Sequence, residues 1–214
     1  MSTGAPEPGP APEPGLAPEP GLARLPRLAP AELDAEQRTL YDAIAGGRRA
    51  EGPQLFQLTD ADGCLEGPFN AFLLQPRLGS ALQTLGSAVR YETGLDDRCR
   101  ETAILAVAAH WRSAFEWYAH AAVARAAGLT DADLAAIMDN QPGVLAGREA
   151  VVAKTTAALA ARGDLDDAEY HEATAELGPG GLFELLTLVG YYATLALQLR
   201  VFRVQAPEET PFPA

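Results

Sequence analysis

Two glutamates and a histidine in consecutive predicted helices are the residues whose types and spacing could do acid–base chemistry. Glu101 lies on an otherwise apolar stripe of the helix predicted at 96–111, and Glu116 and His120 share a face of the helix predicted at 113–127. Burial raises the pKa of a carboxyl group and can tune a histidine for proton transfer near neutral pH. If the two faces meet, the three groups form a proton-transfer site.

Each of these residues also has a purely structural interpretation. Ser113 and Glu116 match a capping box, in which Ser113 caps the helix and Glu116 reaches back to its amide. Glu116 and His120, four residues apart, could be a surface ion pair. Glu101 could simply pair with a nearby arginine, the candidates being Arg98, Arg100 and Arg112.

A metal site is the third interpretation of this region. Glu116 and His120 could supply two ligands and His110 a third, although His110 lies opposite Glu101 on its predicted helix. The sequence has only three histidines and no His-Glu-x-x-His motif. It also has no serine-hydrolase elbow, phosphate-binding loop or flavin fingerprint. We therefore expect neither a metal nor an organic cofactor.

The elements that must position these residues are predicted to be helices. Alanine and leucine dominate, and no strand-type alternation occurs from residue 30 onward. Helices are predicted at 31–46, 69–74, 77–91, 96–111, 113–127, 131–138, 147–162, 167–176 and 181–203. Residues 47–68 are predicted to form a long loop that either holds a short hairpin or lines a site. The fold class is all-α.

The composition changes sharply near residue 30. The first thirty residues hold nine of the seventeen prolines, and Ala-Pro-Glu-Pro-Gly occurs there three times. Such a segment cannot bury a core, so we predict a disordered leader at 1–29, either merely solvated or a docking tail. A helical domain should span 30–205, followed by a flexible tail at 206–214.

Charge and cysteine content exclude several classes of protein. The net charge of −13 disfavours nucleic acids and anionic membranes as partners. Cys64 and Cys99 are too few for a disulfide framework. No signal peptide is visible, and the most apolar run, 185–197, is too short and too closely flanked by polar residues to span a bilayer. We predict a cytoplasmic protein.

The last predicted helix suggests an assembly. The sequence of residues 182–202, LFELLTLVGYYATLALQLRVF, is apolar nearly all round. A helix of this kind must be covered on several sides, and in a domain of this size a second subunit is a natural cover. We expect a homo-oligomer.

Taken together, these motifs resemble the carboxymuconolactone decarboxylase family of the AhpD-like superfamily. The resemblance lies in 91–105 (YETGLDDRCRETAIL), 110–120 (HWRSAFEWYAH), the Gly-Leu-Thr-Asp turn at 128–131 and the helix at 189–196. It extends over roughly 24–205. It implies an AhpD-like domain of about seven to eight helices, assembled as trimers or hexamers, with a cofactor-free site at or beside a subunit interface.

Peroxidases of this superfamily carry a Glu, a Cys-x-x-Cys pair and a His four residues after the second Cys. On this chain Glu101 and His120 match the Glu and the His, whereas Ser113 and Glu116 occupy the two Cys positions. Neither cysteine of this sequence lies where it could replace the pair. Thiol-dependent peroxide reduction needs an attacking thiolate and a resolving partner. The resemblance therefore points to the decarboxylase branch and away from a thiol peroxidase.

The implied chemistry is proton transfer on a small unsaturated, lactone-type carboxylic acid or a related metabolite. His120 would donate a proton to carbon after carbon dioxide leaves, Glu101 would orient it or relay the proton, and Glu116 would assist.

Four further residues are predicted to contact the substrate. Arg112 or Arg90 would hold its carboxylate, and Ser113 and His110 would line the same site. The alternatives are a non-enzymatic oligomeric binding or scaffold protein and a peroxidase-related antioxidant protein.

Overall fold

The computed structural model describes residues 23–51 and 54–212, and within them the chain forms eight α-helices and no β-strand. The helices are α1 (Ala35–Ala45), α2 (Pro68–Phe72), α3 (Pro76–Tyr91), α4 (Asp97–Trp111), α5 (Ala114–Ala126), α6 (Asp131–Met138), α7 (Gly147–Arg162) and α8 (Asp167–Val201). Three short 3₁₀ turns lie at Pro30–Glu32, Arg48–Ala50 and Pro142–Val144. The prediction of an all-α domain is confirmed.

Helix α4 is the centre of the bundle and packs against α5, α6, α7 and α8. Asp96 caps its first turn by accepting a hydrogen bond from the Cys99 amide at 2.9 Å. Five consecutive residues, 101–105, are buried, so polar groups on α4 also face the interior. The helix ends at Arg112 in a left-handed conformation (φ 53°), which turns the chain back so that α5 packs beside α4.

Helix α8 contains the break that the sequence predicts between two helices. Gly178 has φ 69° and ψ 168°, and Pro179 follows it. A proline cannot donate to the preceding turn, and glycine accepts the positive φ at little cost, so this pair separates two helical halves. The C-terminal half supplies Tyr191 and Tyr192 to the interior.

Among the described residues, α8 is the one helix long and apolar enough, by length and composition, to cross a membrane. It is also a core helix, because half of its apolar window is buried inside the bundle. Its outer face nevertheless exposes four large apolar side chains, Phe183, Leu186, Leu197 and Val201.

The first helix starts later than the sequence pattern suggests. Pro30 begins a 3₁₀ turn, and α1 starts only at Ala35. Asp34 accepts a hydrogen bond from the Gln37 amide at 2.9 Å, and Gln37 accepts one from the Asp34 amide at 3.0 Å. This reciprocal cap fixes the start of the helix.

The helical domain begins before residue 30. The three Ala-Pro-Glu-Pro-Gly copies lie outside the described residues, but residues 23–29 pack on the bundle. The amide of Arg24 donates to the Phe202 carbonyl at 2.8 Å, and Asn70 donates to the Pro26 carbonyl at 2.8 Å. Asn70 is fully buried, so these bonds satisfy a side chain that would be costly to bury alone.

The C-terminal segment, predicted to be a flexible tail, also packs on the domain up to the last described residue. Phe212 is buried, and its ring meets Trp117 edge to face with 5.6 Å between centroids. An aromatic pair in this arrangement contributes more stabilisation than its buried surface area alone would give. The prediction missed this because a single aromatic residue in a proline-rich stretch carries no periodic signal.

Candidate active site

Glu101 of α4 and His120 of α5 form a buried pair. The His120 Nδ1 atom lies 2.7 Å from Glu101 Oε2. Glu101 is fully buried and His120 is 7 % exposed. A carboxylate can only accept, so Nδ1 carries the hydrogen and donates it, which leaves Nε2 with a free lone pair. The two predicted helix faces therefore do meet.

The surroundings keep the His120 ring neutral. Burial lowers the pKa of the imidazole below its ordinary value, and Glu101 only partly opposes this effect. The positive charges of Arg90 and Arg49 lower the pKa further. At neutral pH the ring is consequently a base rather than an acid.

The second oxygen of Glu101 faces an arginine. Glu101 Oε1 lies 3.9 Å from Nε of Arg100, and neither atom has a hydrogen-bond partner among the described residues. Arg90 is a second cation close to this carboxylate: burial works against its charge, but Glu101, together with Tyr192 and Tyr91, raises its pKa overall. Of the three arginines suggested by the sequence, the structure thus brings Arg100 to Glu101.

Glu116 is a buried carboxyl group that makes no ion pair with the described residues. It is 3 % exposed, and neither carboxyl oxygen has a hydrogen-bond partner among the described residues. Burial raises its pKa to about 8, with the neighbouring Ser113 hydroxyl opposing the shift. At neutral pH Glu116 is therefore mostly protonated and can donate a hydrogen.

The capping-box interpretation of Ser113 and Glu116 is wrong. The Ser113 side chain makes no capping hydrogen bond, and its hydroxyl is buried without a partner among the described residues. The surface ion pair suggested for Glu116 and His120 is also absent from the described part of the chain, because both side chains are buried.

His120 and Glu116 both face a small cavity. Its free volume is about 30 Å³, room for one or two water molecules. The wall combines two arginines and two tyrosines with apolar side chains. Besides the two catalytic candidates, the lining residues are Arg49, Phe56, Pro68, Phe69, Arg90, Phe115, Ala119, Tyr191, Tyr192 and Leu195.

Arg49 is a lining residue that the sequence pattern did not reveal. It lies in the 3₁₀ turn Arg48–Ala50, inside the long loop predicted at 47–68, so that loop does line the site. Its Nε donates to Gln83 Oε1 at 3.1 Å, and its guanidinium lies over the Phe69 ring, 5.1 Å from the centroid. The suggested hairpin in the loop is reduced to a single bridge between Thr59 and Leu65.

Two tyrosines of α8 close the other side. The Tyr192 ring meets His120 edge to face at 5.1 Å between centroids and meets Tyr191 in the same way at 5.3 Å. Tyr191 packs so closely on Gly86 of α3 that a Cβ there would overlap its hydroxyl. Burial raises the pKa of Tyr191 to about 12, so its hydroxyl stays protonated.

Two predicted substrate contacts lie elsewhere. His110 is exposed on α4. It lies nine residues after Glu101, on the opposite face of the helix. Arg112 is exposed, and its guanidinium lies over the Phe212 ring, 5.7 Å from the centroid. Neither residue lines the cavity, so their positions do not support a role in holding substrate. Of the predicted contacts, Arg90 lines the cavity and Ser113 lies beside Glu116.

Neither cysteine is placed for redox work at this site. Cys64 and Cys99 are both buried and free, and neither lines the cavity. Burial raises both thiol pKa values, that of Cys99 to about 12. Among the described residues, no group of three or more His, Cys, Asp and Glu side chains could hold a metal ion.

One family model matches part of the chain. Residues 76–161 match the model of the carboxymuconolactone decarboxylase family, a span that contains Arg90, Glu101, Glu116 and His120. No curated protein sequence gives a significant match.

Solved structures share the fold, and two of them show how far the likeness extends. The AhpD core of an uncharacterized peroxidase-related protein from Ralstonia eutropha JMP134 superposes with a TM-score of 0.69 and 12 % identity, over 87 % of this chain and 93 % of that one. A protein of unknown function from Agrobacterium tumefaciens, with a suggested AhpD-type role in antioxidant defence, gives 0.59 and 22 % identity, over 65 % and 97 %. At these identities the likeness concerns the fold alone.

Proposed function

We propose that this protein, whose residues 76–161 match the model of the carboxymuconolactone decarboxylase family, is a cofactor-independent lyase or isomerase. Its substrate would be a small unsaturated, lactone-type carboxylic acid, and the reaction would be a proton transfer. The observation that carries this proposal is the buried contact of 2.7 Å between His120 Nδ1 and Glu101 Oε2 at the wall of a cavity.

The structure favours acid and base roles for Glu116 and His120 that differ from those suggested by the sequence. His120, neutral and hydrogen-bonded through Nδ1, acts as the base through Nε2. Glu116, protonated and facing the same cavity, is the proton donor. Two titratable groups with pKa values displaced in opposite directions are typical of an acid and a base that work together. Glu101 orients His120 and stabilises the imidazolium that forms.

In a decarboxylation, the bond between the carboxylate carbon and the ring breaks, and its electron pair enters the conjugated system. Carbon dioxide leaves, Glu116 gives its proton to carbon, and a solvent proton taken up at Nε2 of His120 is passed on to restore the proton of Glu116. In an isomerisation, His120 removes a proton from one carbon while Glu116 protonates another. Both reactions leave the oxidation state of the enzyme unchanged.

The charge of the cavity suits an organic acid. Arg49 and Arg90 both line it, and neither makes an ion pair within 4.0 Å among the described residues. The carboxylate of Glu101 faces Arg100 and His120, while Glu116 is uncharged near neutral pH. An arginine can hold a carboxylate through two parallel hydrogen bonds. We assign Arg90 and Arg49 to that task.

Assembly into a trimer or hexamer remains part of the proposal, together with a cytoplasmic location. The four exposed apolar residues on the outer face of α8 support an interface with a second copy. Analytical ultracentrifugation of the wild type and of Phe183→Asp tests it. A smaller assembly for the variant would support this interface, and an unchanged one would place it elsewhere.

A scaffold protein that kept the fold without the chemistry is the alternative. The test is an ultraviolet assay of lactone-acid decarboxylation by the purified protein, beside Glu101→Gln, His120→Ala and the exposed control His171→Ala. Turnover that is lost in the first two variants and kept in the control supports the enzyme. If a correctly assembled protein turns over neither this acid nor a wider panel of unsaturated acids, the scaffold interpretation replaces the enzyme proposal.

A further inference from the structure

The catalytic cavity is narrow in this structure. Its free volume of about 30 Å³ has room for one or two water molecules, which is less than an organic acid needs. His120 is 7 % exposed, so a substrate must enter through a movement of side chains. One part of the cavity wall must therefore open to admit the substrate.

A larger pocket lies on the other side of one wall. This outer pocket has a volume of about 550 Å³ and is formed in part by Leu55, Arg90, Arg100 and Val123. Arg90 lines both spaces. Leu55 belongs to the outer pocket, and its neighbour Phe56 belongs to the cavity. The partition between the two spaces therefore includes one arginine and a short piece of loop.

The charges of the outer pocket favour an anion. Two guanidinium groups, those of Arg90 and Arg100, line it together with one carboxylate, Asp97. Asp97 pairs with Arg100 but is itself 75 % exposed, so water screens its charge strongly. The Arg100 side chain is 12 % exposed; its Nε makes no hydrogen bond among the described residues and lies 3.9 Å from Glu101 Oε1, behind the pocket wall. In a chain of net charge −13, this is a local concentration of cations.

We propose that the outer pocket is a carboxylate-binding entrance to the catalytic cavity, occupied by a small organic acid before it reaches His120. The acid pairs first with Arg100 and Arg90. Arg90 then swings with the carboxylate toward the cavity while Phe56 moves aside. The identity of the acid rests on the proposed function, whereas the route to His120 does not.

Access to His120 can be measured without turnover. Diethyl pyrocarbonate acylates neutral imidazole nitrogen, and mass spectrometry resolves the three histidines of the chain. His110 and His171 are exposed and serve as internal references. Val123→Trp fills the outer pocket from α5. Leu78→Trp, in a separate groove between α3 and α8, is the matched control.

Val123→Trp should slow the acylation of His120 by at least about tenfold, because reaction of a buried group requires an opening of its surroundings. The two reference histidines should react at their wild-type rates, and Leu78→Trp should leave all three rates unchanged. Unaltered acylation of His120 in a folded Val123→Trp protein would overturn the proposal. Leu55→Trp, at an exposed position, repeats the test if Val123→Trp does not fold.

The anion preference is tested with hexa-2,4-dienoate, an unsaturated monocarboxylate. It should protect His120 from acylation in the wild type, and Arg100→Met should raise the concentration needed by about tenfold, the effect of one lost charge-assisted pair. Arg77→Met, at an arginine whose side chain is 84 % exposed, should change nothing. Equal protection in Arg100→Met, or better protection by the corresponding amide, would exclude a carboxylate entrance. A protein without turnover could still show both effects, so failure of the enzyme proposal is a separate outcome.

Discussion

The family-matched region, 76–161, and the segments that flank it contribute different things to the same cavity. The matched region supplies Glu101, Glu116 and His120 together with Arg90. The flanking segments supply most of the remaining wall, namely Arg49, Phe56, Pro68, Phe69, Tyr191, Tyr192 and Leu195. The proton-transfer groups thus come from two adjacent helices, and the surface that meets the substrate comes mainly from elsewhere.

This difference indicates that the matched region determines the reaction and that the flanking segments determine which substrate binds. The geometry of Glu101 and His120 depends on the packing of α4 against α5 in the centre of the bundle. Arg49 and Phe56 depend on a loop, and loops tolerate change more readily than packed helices. We therefore expect substitutions of Glu101, Glu116 and His120 to lower kcat and substitutions in the flanking segments to raise KM.

The largest effect is expected at the buried pair. His120→Ala and Glu101→Gln should each lower kcat on the acid identified in the assay by about 10²–10⁴-fold, because the base is removed or loses its orientation. His171→Ala, at an exposed position, should retain wild-type kcat. Comparable losses in the His171 variant, or retained activity in His120→Ala, would contradict the assignment.

Glu116→Gln should change both activity and the pH dependence of stability. Native Glu116 keeps its proton up to about pH 8, whereas the unfolded chain loses it near 4.5. Between these values the native state binds more protons, so wild-type stability falls as pH rises, by up to about 1.4 kcal/mol per pH unit. The glutamine variant lacks this pH dependence. Its free energy of unfolding relative to the wild type should therefore increase from pH 5 to pH 8.

Urea denaturation at several pH values measures this difference. Glu92→Gln, at an exposed carboxylate, should parallel the wild type. In the same range, wild-type activity should decline as pH rises through about 8, because the donor loses its proton. Parallel stability curves for the wild type and Glu116→Gln would show that Glu116 is not held protonated.

Arg49→Met probes the flanking wall. It should raise KM about 10- to 100-fold, the loss expected for one charge-assisted pair with a carboxylate, and change kcat little. Arg77→Met is the control at an exposed arginine. A fall in kcat equal to the fall in kcat/KM would show that Arg49 acts in the reaction step. It would contradict the expectation that the flanking segments affect KM only.

The smallest effect is expected at Gly86, where the wall meets α3. A methyl group there would overlap the Tyr191 hydroxyl and approach Arg49. Gly86→Ala should cost about 1–3 kcal/mol of stability, as overpacking of a core does. Gly190→Ala, at an exposed site with open space around a Cβ, should be neutral or slightly stabilising. Thermal denaturation separates the two, and equal stability of both variants would argue against the tight contact.

The sequence predicted the helices and offered the buried pair as one of several alternatives, because both depend on helical periodicity. Glu101 and His120 lie on otherwise apolar stripes, and two consecutive helices in a small bundle pack together. Periodicity did not predict the start of α1, because the reciprocal cap of Asp34 and Gln37 overrides the preference of Pro30 for a helix start.

The wall of the cavity was harder to predict. Arg49 lies in a 3₁₀ turn of a loop, where no repeat shows which way a side chain faces. Tyr192 lies in a helix that is apolar nearly all round, so its neighbours did not mark it as a site residue. Only closeness in sequence suggested Arg112, and the left-handed turn at this residue directs its side chain toward Phe212 instead.

The most direct test of the proton-transfer site is the state of His120 in solution. Nitrogen-15 NMR of the imidazole should show a neutral ring at pH 7 with the hydrogen on Nδ1, and a pKa below the ordinary 6.5. In Glu101→Gln the pKa should fall further, because the carboxylate favours the protonated ring. A His120 that titrates near 6.5, carries its hydrogen mainly on Nε2 and ignores the Glu101 substitution would contradict the account.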